Sequence, residues 1–327
     1  MSTAATTIEH AVPPRAGPRA FLRRLRSGDE VAHIVTLIFA FSVILITSLL
    51  VYQLWLNSAL SRHQFGWHFW FTRTWDPVFE HFGAAPFIYG TLVTSTISLL
   101  IAVPLGLAAA VFLSELAPRR ISDTISFLID LLAAVPSVIF GLLGIFIVVP
   151  LMRTMLGPAL KDVLGFTPLF QGPNYGVGFL TAGIVLAIMV VPFIISVSRE
   201  VLLTVPRDQR EAALALGATR WESTWKVVVP WARTGITGSI FLALARAVGE
   251  TMAVTMVIGN DPRIVTSLFA PGYTIAAVIA NEFTEATGRV YLSALIELGL
   301  VLFMITLILN GLARLLIIAT ERGGGHP

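Results

Sequence analysis

Long apolar runs separated by short polar segments are the main feature of this chain of 327 residues. A helix needs about 20 predominantly apolar residues to cross the hydrocarbon layer of a bilayer. Six runs reach that length, at 31–57, 87–114, 124–151, 175–198, 234–259 and 290–316. Backbone groups inside a bilayer need internal hydrogen bonds, which a helix supplies. The pattern therefore predicts an all-α integral membrane protein with six transmembrane helices.

The polar segments between these runs indicate how the chain is organised. Aromatic rings are enriched in the segment after the first run, and such rings favour the headgroup layer of a membrane. We interpret that segment as an interfacial anchor on the outer face, with contact to a binding protein as the alternative. The predicted order is a cytoplasmic polar tail (1–30), the first transmembrane helix (31–57), the external aromatic-rich segment (58–86), a five-helix core (87–320) that includes a cytoplasmic loop (199–233), and a C-terminal tail (321–327).

The distribution of charge gives the orientation of the chain. With the N-terminus inside, the cytoplasmic segments carry 15 of the 22 lysines and arginines, and the external segments carry 6. Cytoplasmic loops of membrane proteins are enriched in basic residues, so both termini are expected in the cytoplasm. The chain has a net charge of +3, and its inner basic residues are spread over four separate segments, which argues against a nucleic-acid partner.

Composition narrows the possible chemistry. Apolar residues make up 56% of the chain and charged residues only 13%, and the mean hydropathy is +0.83. Soluble domains carry about 25% charged residues. The chain has no cysteine, which excludes disulfides, thiolate metal sites and cysteine nucleophiles, and its six histidines show no metal-binding spacing. We therefore predict no metal and no cofactor bound by this chain.

The cytoplasmic loop at 199–233 has the sequence of two short helices with a break between them. Pro206 suits the first turn of a helix, and strong helix formers follow it. Gly217 is placed to adopt the left-handed conformation that ends such a helix. A second helical segment starts at Arg220, and Pro230 is expected to stop it before the fifth span. An ordinary interfacial helix–turn–helix has the same local sequence.

The spacing within this loop resembles the EAA loop of ABC importer permeases. That pattern is Glu-Ala-Ala, three residues, Gly, nine residues, then Ile-x-Leu-Pro, and valines replace the isoleucine and leucine here. The matching positions are Glu211, Ala212, Ala213, Gly217, Val227, Val229 and Pro230. The resemblance implies a fold like that of type I ABC importer permeases and a coupling helix that docks on an ATPase subunit. No phosphate-binding loop is present, so ATP-Mg is expected in the partner ATPase.

Several other stretches resemble phosphate-specific permeases of the PstC type. These are 82–91, 134–142, 246–254 and 281–283. The resemblance implies a multi-pass protein of a bacterial plasma membrane that imports inorganic phosphate by alternating access. It also implies three kinds of partner besides the lipid bilayer: a second, homologous permease of the PstA type, two ATPase subunits of the PstB type, and an extracytoplasmic phosphate-binding protein of the PstS type.

Charged residues inside the predicted spans are the candidates for a substrate path. Arg246 and Glu250 are four residues apart in the fifth span, and a continuous helix would place them on one face. Inserting an arginine at mid-membrane costs about 2.5–3.5 kcal/mol, so it is expected to face protein or a watery cavity. We predict that Arg246 meets the anion and that Glu250 holds Arg246, with Thr251 and Ser137 as further path residues. A purely structural bridge between helices is the alternative.

Two further carboxylates, a set of small residues and three prolines also lie inside the predicted spans. Asp130 in the third span and Glu297 in the sixth are predicted to have packing roles. Residues 245, 249 and 253 form a predicted stripe of small side chains that lets another helix approach. Prolines inside three spans predict kinks, at Pro104, Pro136 and Pro192.

Two alternative functions stay open from the sequence. One is a permease for another oxyanion, such as sulfate, molybdate or phosphonate. The other is an ion-coupled secondary transporter in which Arg246 and Glu250 form the ion site. The first differs from phosphate import only in cargo, and the second would need no ATPase.

Overall fold

The computed structural model describes residues 29–323. The predicted N-terminal tail, 1–30, lies almost wholly outside these residues, and so do residues 324–327 of the predicted C-terminal tail, 321–327. Within them the regular structure is helical, and β-type pairing of the backbone is limited to two isolated bridges. The helices are α1 (Asp29–Asn57), α2 (Ala59–Phe65), α3 (His68–Phe71), α4 (Ala85–Leu116), α5 (Arg119–Ala133), α6 (Ser137–Leu164), α7 (Phe179–Leu203), α8 (Arg207–Ala215), α9 (Arg220–Gly249), α10 (Met252–Ile258), α11 (Ile275–Glu282) and α12 (Arg289–Gly323).

Six of these helices are long and apolar enough to cross a membrane, which confirms the predicted fold class. They are α1, α4, α6, α7, α9 and α12. The chain divides into two compact units, 1–53 and 54–327. The described part of the first unit belongs to α1, and the second unit contains the helices that surround α7. In α7, 67% of the most apolar stretch is buried, against 39% or less in the other candidate spans, so α7 is the central helix of its unit.

Glycines let α4 approach α7 closely. A methyl group placed on Gly106 would lie 2.7 Å from Ile194, and one placed on Gly183 would lie 2.5 Å from Ile97. Pro104 and Pro192 lie inside these two helices, as the sequence predicts. Buried apolar side chains from α4, α6, α7, α9 and α10 join in one core cluster around this contact.

The predicted third span, 124–151, is two helices instead of one kinked helix. Pro136 has extended backbone angles, so α5 ends before it and α6 begins after it. Proline disfavours helical geometry in the residue before it and cannot donate a helix hydrogen bond, which explains the break. Contacts with α7 show the direction of the chain, because Asp130 accepts a hydrogen bond from Ser196 at 2.7 Å and Gly144 packs on Val185. The chain therefore runs antiparallel to α7 through both helices.

The predicted fifth span, 234–259, is also interrupted. Helix α9 ends at Gly249, Glu250 has extended backbone angles, and α10 starts at Met252. The Oε1 atom of Glu250 accepts the backbone N–H of Ala253 at 3.2 Å, and so satisfies a donor at the start of α10. The predictions that Glu250 shares a helix face with Arg246 and that small residues form a continuous stripe at 245, 249 and 253 are therefore wrong.

Pro230 does not stop a helix, contrary to the prediction. Helix α9 continues through it, and a π-helical turn at Thr224–Val228 lies just before it. The same order of a π turn followed by proline occurs twice in α6, before Pro150 and before Pro158. A wider turn moves the preceding carbonyls away from the proline ring and absorbs the missing N–H. This is why the helices persist through these prolines.

The external segment is partly a folded cap, not simply an interfacial anchor. Phe69, Phe82 and Phe87 are at most 1% exposed and pack with Trp75, whereas Trp67 is 81% exposed. Glu282 accepts hydrogen bonds from the indole of Trp75 at 2.8 Å and from the hydroxyl of Tyr291 at 2.7 Å. The residues of the 281–283 stretch therefore tie this cap to α11 and α12.

The close approach of α4 and α7 predicts unequal effects of two glycine substitutions. Gly183→Ala should lower the melting temperature in detergent, because its methyl group must displace Ile97 and overpacking costs about 1–3 kcal/mol. Gly238→Ala is the matched control in α9, where the methyl group meets no atom within 4 Å and alanine favours the helix by about 1 kcal/mol. Equal melting temperatures for the two variants would contradict this packing.

Candidate coupling surface and membrane-embedded charge site

Helix α8 ends in a glycine turn, as predicted. Gly217 has a φ angle of +87°, in the left-handed region. The N–H of Ala218 donates to the carbonyl of Ala213 at 3.1 Å, and the N–H of Gly217 donates to that of Leu214 at 3.0 Å. These two bonds form a Schellman motif, which satisfies carbonyls at the end of the helix. The glycine therefore fixes the angle between α8 and α9.

The beginning of α9 has a capping box that the sequence analysis missed. Thr219 accepts the N–H of Glu222 at 3.2 Å through its hydroxyl, and its own N–H donates to the carboxylate of Glu222 at 3.0 Å. The signal was present in the sequence as Thr-x-x-Glu before an apolar run. With the glycine turn, this box makes the connection from α8 to α9 a defined corner.

The coupling surface is the exposed face of this corner. Glu211 and Ala212 are exposed, Ala213 is half-buried, and Leu216 is 90% exposed. Glu211 makes no hydrogen bond or ion pair with any described residue. Trp221 and Trp225 pack edge to face, with ring centroids 5.5 Å apart, and both stay about half exposed. An exposed apolar surface of this kind is typical of a protein interaction site.

Arg210 is a residue of this region that the sequence analysis did not select. Its guanidinium binds both carboxylate oxygens of Glu115, at 2.8 and 3.0 Å, although the two residues are 95 positions apart. Nothing in the sequence signals a pair at that separation. The pair joins α8 to the inner end of α4.

The embedded charge site is centred on Arg246 in α9. Its guanidinium carbon lies 5.6 Å from the ring centroid of Phe193, which is near the middle of α7. Arg246 is half-buried, and it forms no ion pair with Glu250 or any other carboxylate within residues 29–323. The structure therefore places a cation at mid-depth of the helices, beside an aromatic ring and without a carboxylate partner in this part of the chain.

The other predicted path residues lie at the interruptions of the two broken spans. Thr251 lies in the gap between α9 and α10, where its hydroxyl donates to the carbonyl of Gly249 at 3.3 Å. Ser137 is the first residue of α6 and is half-buried. The beginning of α6 packs on α10, because a methyl group placed on Gly141 would lie 3.3 Å from the Cα atom of Ala253. The interruption before α6 and the interruption between α9 and α10 therefore lie close together.

The remaining charged candidates have other surroundings. Asp130 accepts a hydrogen bond from Ser196, and Glu297 is 2% exposed beside Ser61 and Arg62. Neither pairs with Arg246. Asp130 is exposed and lies in α5, outside the six helices that could cross a membrane, so the packing role predicted for it inside a span is wrong. In the external loop, burial raises the pKa of the Tyr273 hydroxyl to about 12. Residues 29–323 contain no cluster of side chains suited to a metal ion.

Comparison with known proteins identifies the family of this chain. Residues 102–319 match the family model described as a binding-protein-dependent transport system inner membrane component. The chain is 44% identical to a phosphate transport system permease protein PstC of Mesorhizobium japonicum, over 98% of this chain and 99% of the relative. It is 47% identical to the PstC protein of Xylella fastidiosa, over 93% of this chain and 95% of the relative.

The chain belongs to the PstC family of ABC transporter permeases. It is a multi-pass inner-membrane component and not the ATPase, and it works with ATPase and binding-protein partners. This membership removes the ion-coupled transporter from the alternatives. The fold is also similar to a solved bacterial alginate ABC transporter chain, with a TM-score of 0.55 and 15% identity over 90% of this chain and 96% of that one.

The glycine turn predicts how the coupling surface responds to substitution. Gly217→Ala should reduce the amount of ATPase that copurifies with the permease, because a non-glycine residue in the left-handed conformation costs about 1–2 kcal/mol. Gly217→Asn is the matched control, since asparagine tolerates this conformation. Added bulk is not the cause, because a methyl group on Gly217 meets no atom within 4 Å. Equal retention in both variants would contradict a role for the turn.

Proposed function

We propose that this chain is the permease subunit of an ATP-driven importer of inorganic phosphate, and that Arg246 contacts the anion as it crosses. The observation that carries the proposal is a cation at mid-depth of the helices with no carboxylate partner within residues 29–323. Ionisable side chains inside membrane spans usually serve a transport path. The names of the relatives in Mesorhizobium and Xylella support phosphate as the cargo.

The chemistry of the guanidinium suits this cargo. A guanidinium presents N–H donors in a fixed plane and can bind a phosphate oxyanion through two parallel hydrogen bonds. Thr251 and Ser137 add hydroxyl groups at the ends of interrupted helices. Glu250 does not have the role predicted from the sequence, because its carboxylate caps α10 and does not hold Arg246. In this proposal Glu250 sets the position of α10 and leaves the charge of Arg246 available to the anion.

The coupling surface would receive the force that opens the path. In this proposal the exposed Glu211, Ala212 and Ala213 meet the ATPase, while Gly217 fixes the corner and Pro230 follows the π turn that leads into α9. ATP binding would draw two such surfaces together and turn the path outward, and hydrolysis would reset it. ATP-Mg belongs to the ATPase in this scheme, and this chain carries no covalent chemistry.

The proposed assembly has four kinds of component. This permease pairs with a second, homologous permease of the PstA type, and two ATPase subunits of the PstB type dock from the cytoplasm. An extracytoplasmic phosphate-binding protein of the PstS type delivers the anion. The resemblance in sequence supports this set of partners, and the exposed corner of α8 and α9 supports the cytoplasmic contact.

Substitution of Arg246 tests the proposed anion contact. In proteoliposomes with the complete complex, Arg246→Gln should reduce phosphate uptake by about 10- to 100-fold, because hydrogen bonds to charged groups contribute about 1.5–3 kcal/mol. Arg246→Lys should be less severe, since it keeps the charge and loses the paired geometry. Arg314→Gln, at an exposed site in α12, is the control and should keep normal uptake. Normal uptake by a fully assembled Arg246→Gln complex would rule out the contact.

A further inference from the structure

We propose that Glu115 and Arg210 form a joint that transmits movement of α8 to the inner ends of α4 and α7. The inference rests on the proposed function, because it takes α8 as part of the surface that meets the ATPase. The inference adds to that function the step that follows docking of the ATPase on this surface. The corner continues directly into α9, which carries Arg246, and this pair adds a second connection, from α8 to α4 and α7.

Arg210 contacts the end of α4, the end of α7 and the segment that follows α7. Two of its nitrogens bind the two carboxylate oxygens of Glu115, at 3.0 and 2.8 Å. It also donates to the backbone carbonyl of Leu202 in α7 at 2.8 Å and to that of Val205, just after α7, at 2.5 Å. Paired hydrogen bonds between a guanidinium and a carboxylate restrict direction as well as distance. The side chain therefore fixes α8 against the ends of both α4 and α7.

The pair is shielded from water, unlike the other ion pairs near this face. The side chain of Glu115 is 8% exposed and that of Arg210 is 21% exposed. In contrast, Lys226 and Glu222 pair on the surface with side chains 75% and 44% exposed. Exposed pairs contribute little because solvent screens them, whereas breaking a buried pair leaves an uncompensated charge. Glu115 and Arg210 are therefore expected to move together.

Arg210 and the next residue, Glu211, lie on different faces of α8. The joint therefore faces the membrane helices, and the docking surface faces away from them. Successive residues on a helix do not share a face. Arg210 points at the ends of α4 and α7, and Glu211 is exposed and has no partner among the described residues. One turn of α8 thus carries a candidate contact to the ATPase and a contact to the membrane helices. Movement of α8 by the ATPase would therefore act on the membrane helices through the same turn.

The receiving end of the joint is a π-helical turn. Glu115 lies in the turn Phe112–Leu116, which ends α4. Such turns are frequent at functional sites and depart from the regular helix ladder. The other side of this turn is held by α5, because the hydroxyl of Ser122 donates to the carbonyl of Leu113 at 2.7 Å. The turn is therefore held between α5 and α8, and displacement of α8 acts on it directly.

The test separates assembly, ATP hydrolysis and transport in the complete reconstituted complex. Glu115→Gln removes the charge at nearly constant shape, and Arg210→Lys keeps the charge but cannot reproduce the paired geometry. Asp123→Asn is the matched control, since its carboxylate is 66% exposed at 3.7 Å from Arg199 at the same face. The readouts are retention of the ATPase, the rate of ATP hydrolysis, and the phosphate moved for each ATP hydrolysed.

We expect both joint variants to retain the ATPase and hydrolyse ATP while the phosphate moved for each ATP falls by about tenfold, a size typical of coupling between distant sites. Asp123→Asn should behave as the unsubstituted protein. Unchanged transport for each ATP in both variants would overturn the joint. Loss of assembly in both variants, with Asp123→Asn intact, would show a purely structural pair and would overturn it too. Failure of the proposed function is distinguishable, because the unsubstituted complex would then show no ATP-driven phosphate uptake.

Discussion

The cost of holding a cation within the hydrocarbon layer is the constraint on which this structure depends. Arg246 lies beside Phe193, near the middle of α7, where insertion of an arginine costs about 2.5–3.5 kcal/mol. A membrane protein retains such a residue when protein, water or substrate surrounds it. The interruptions of the third and fifth spans lie in the same region, at Pro136 and Glu250. Irregular backbone is tolerated at membrane depth where it is buried in protein or lines a cavity, so the charge and the breaks are consistent with one path.

The cytoplasmic end follows from a second constraint, which is that force must pass between chains through defined contacts. A glycine turn and a capping box fix the corner between α8 and α9. The exposed side of this corner is available to a partner, and its inner side is bound to α4 and α7 through Arg210. In the proposed function, a rigid corner with one free face and one bound face converts docking of the ATPase into movement of the membrane helices. That proposal links the coupling surface to the embedded charge of Arg246.

The sequence was sufficient for features that depend on local composition. Apolar length predicted the number of spans, although the third and fifth, predicted at 124–151 and 234–259, are Ser137–Leu164 and Arg220–Gly249. The spacing that starts at Glu211 predicted the loop and the left-handed Gly217. It was insufficient where neighbouring elements decide. A run such as 234–259 is apolar throughout, so hydropathy alone does not reveal that the helix ends at Gly249. Periodicity also does not predict that a π turn carries α9 through Pro230, nor that residues 95 positions apart pair.

In the proposed function, this permease carries phosphate across the membrane in response to ATP hydrolysis by a partner. Uptake by the purified complex in proteoliposomes tests this, with labelled phosphate and labelled sulfate compared at equal concentration. We expect phosphate uptake that requires ATP, persists in the presence of an ionophore, and exceeds sulfate uptake. Equal or greater uptake of sulfate, or phosphate uptake that ignores ATP and is abolished by the ionophore, would contradict it.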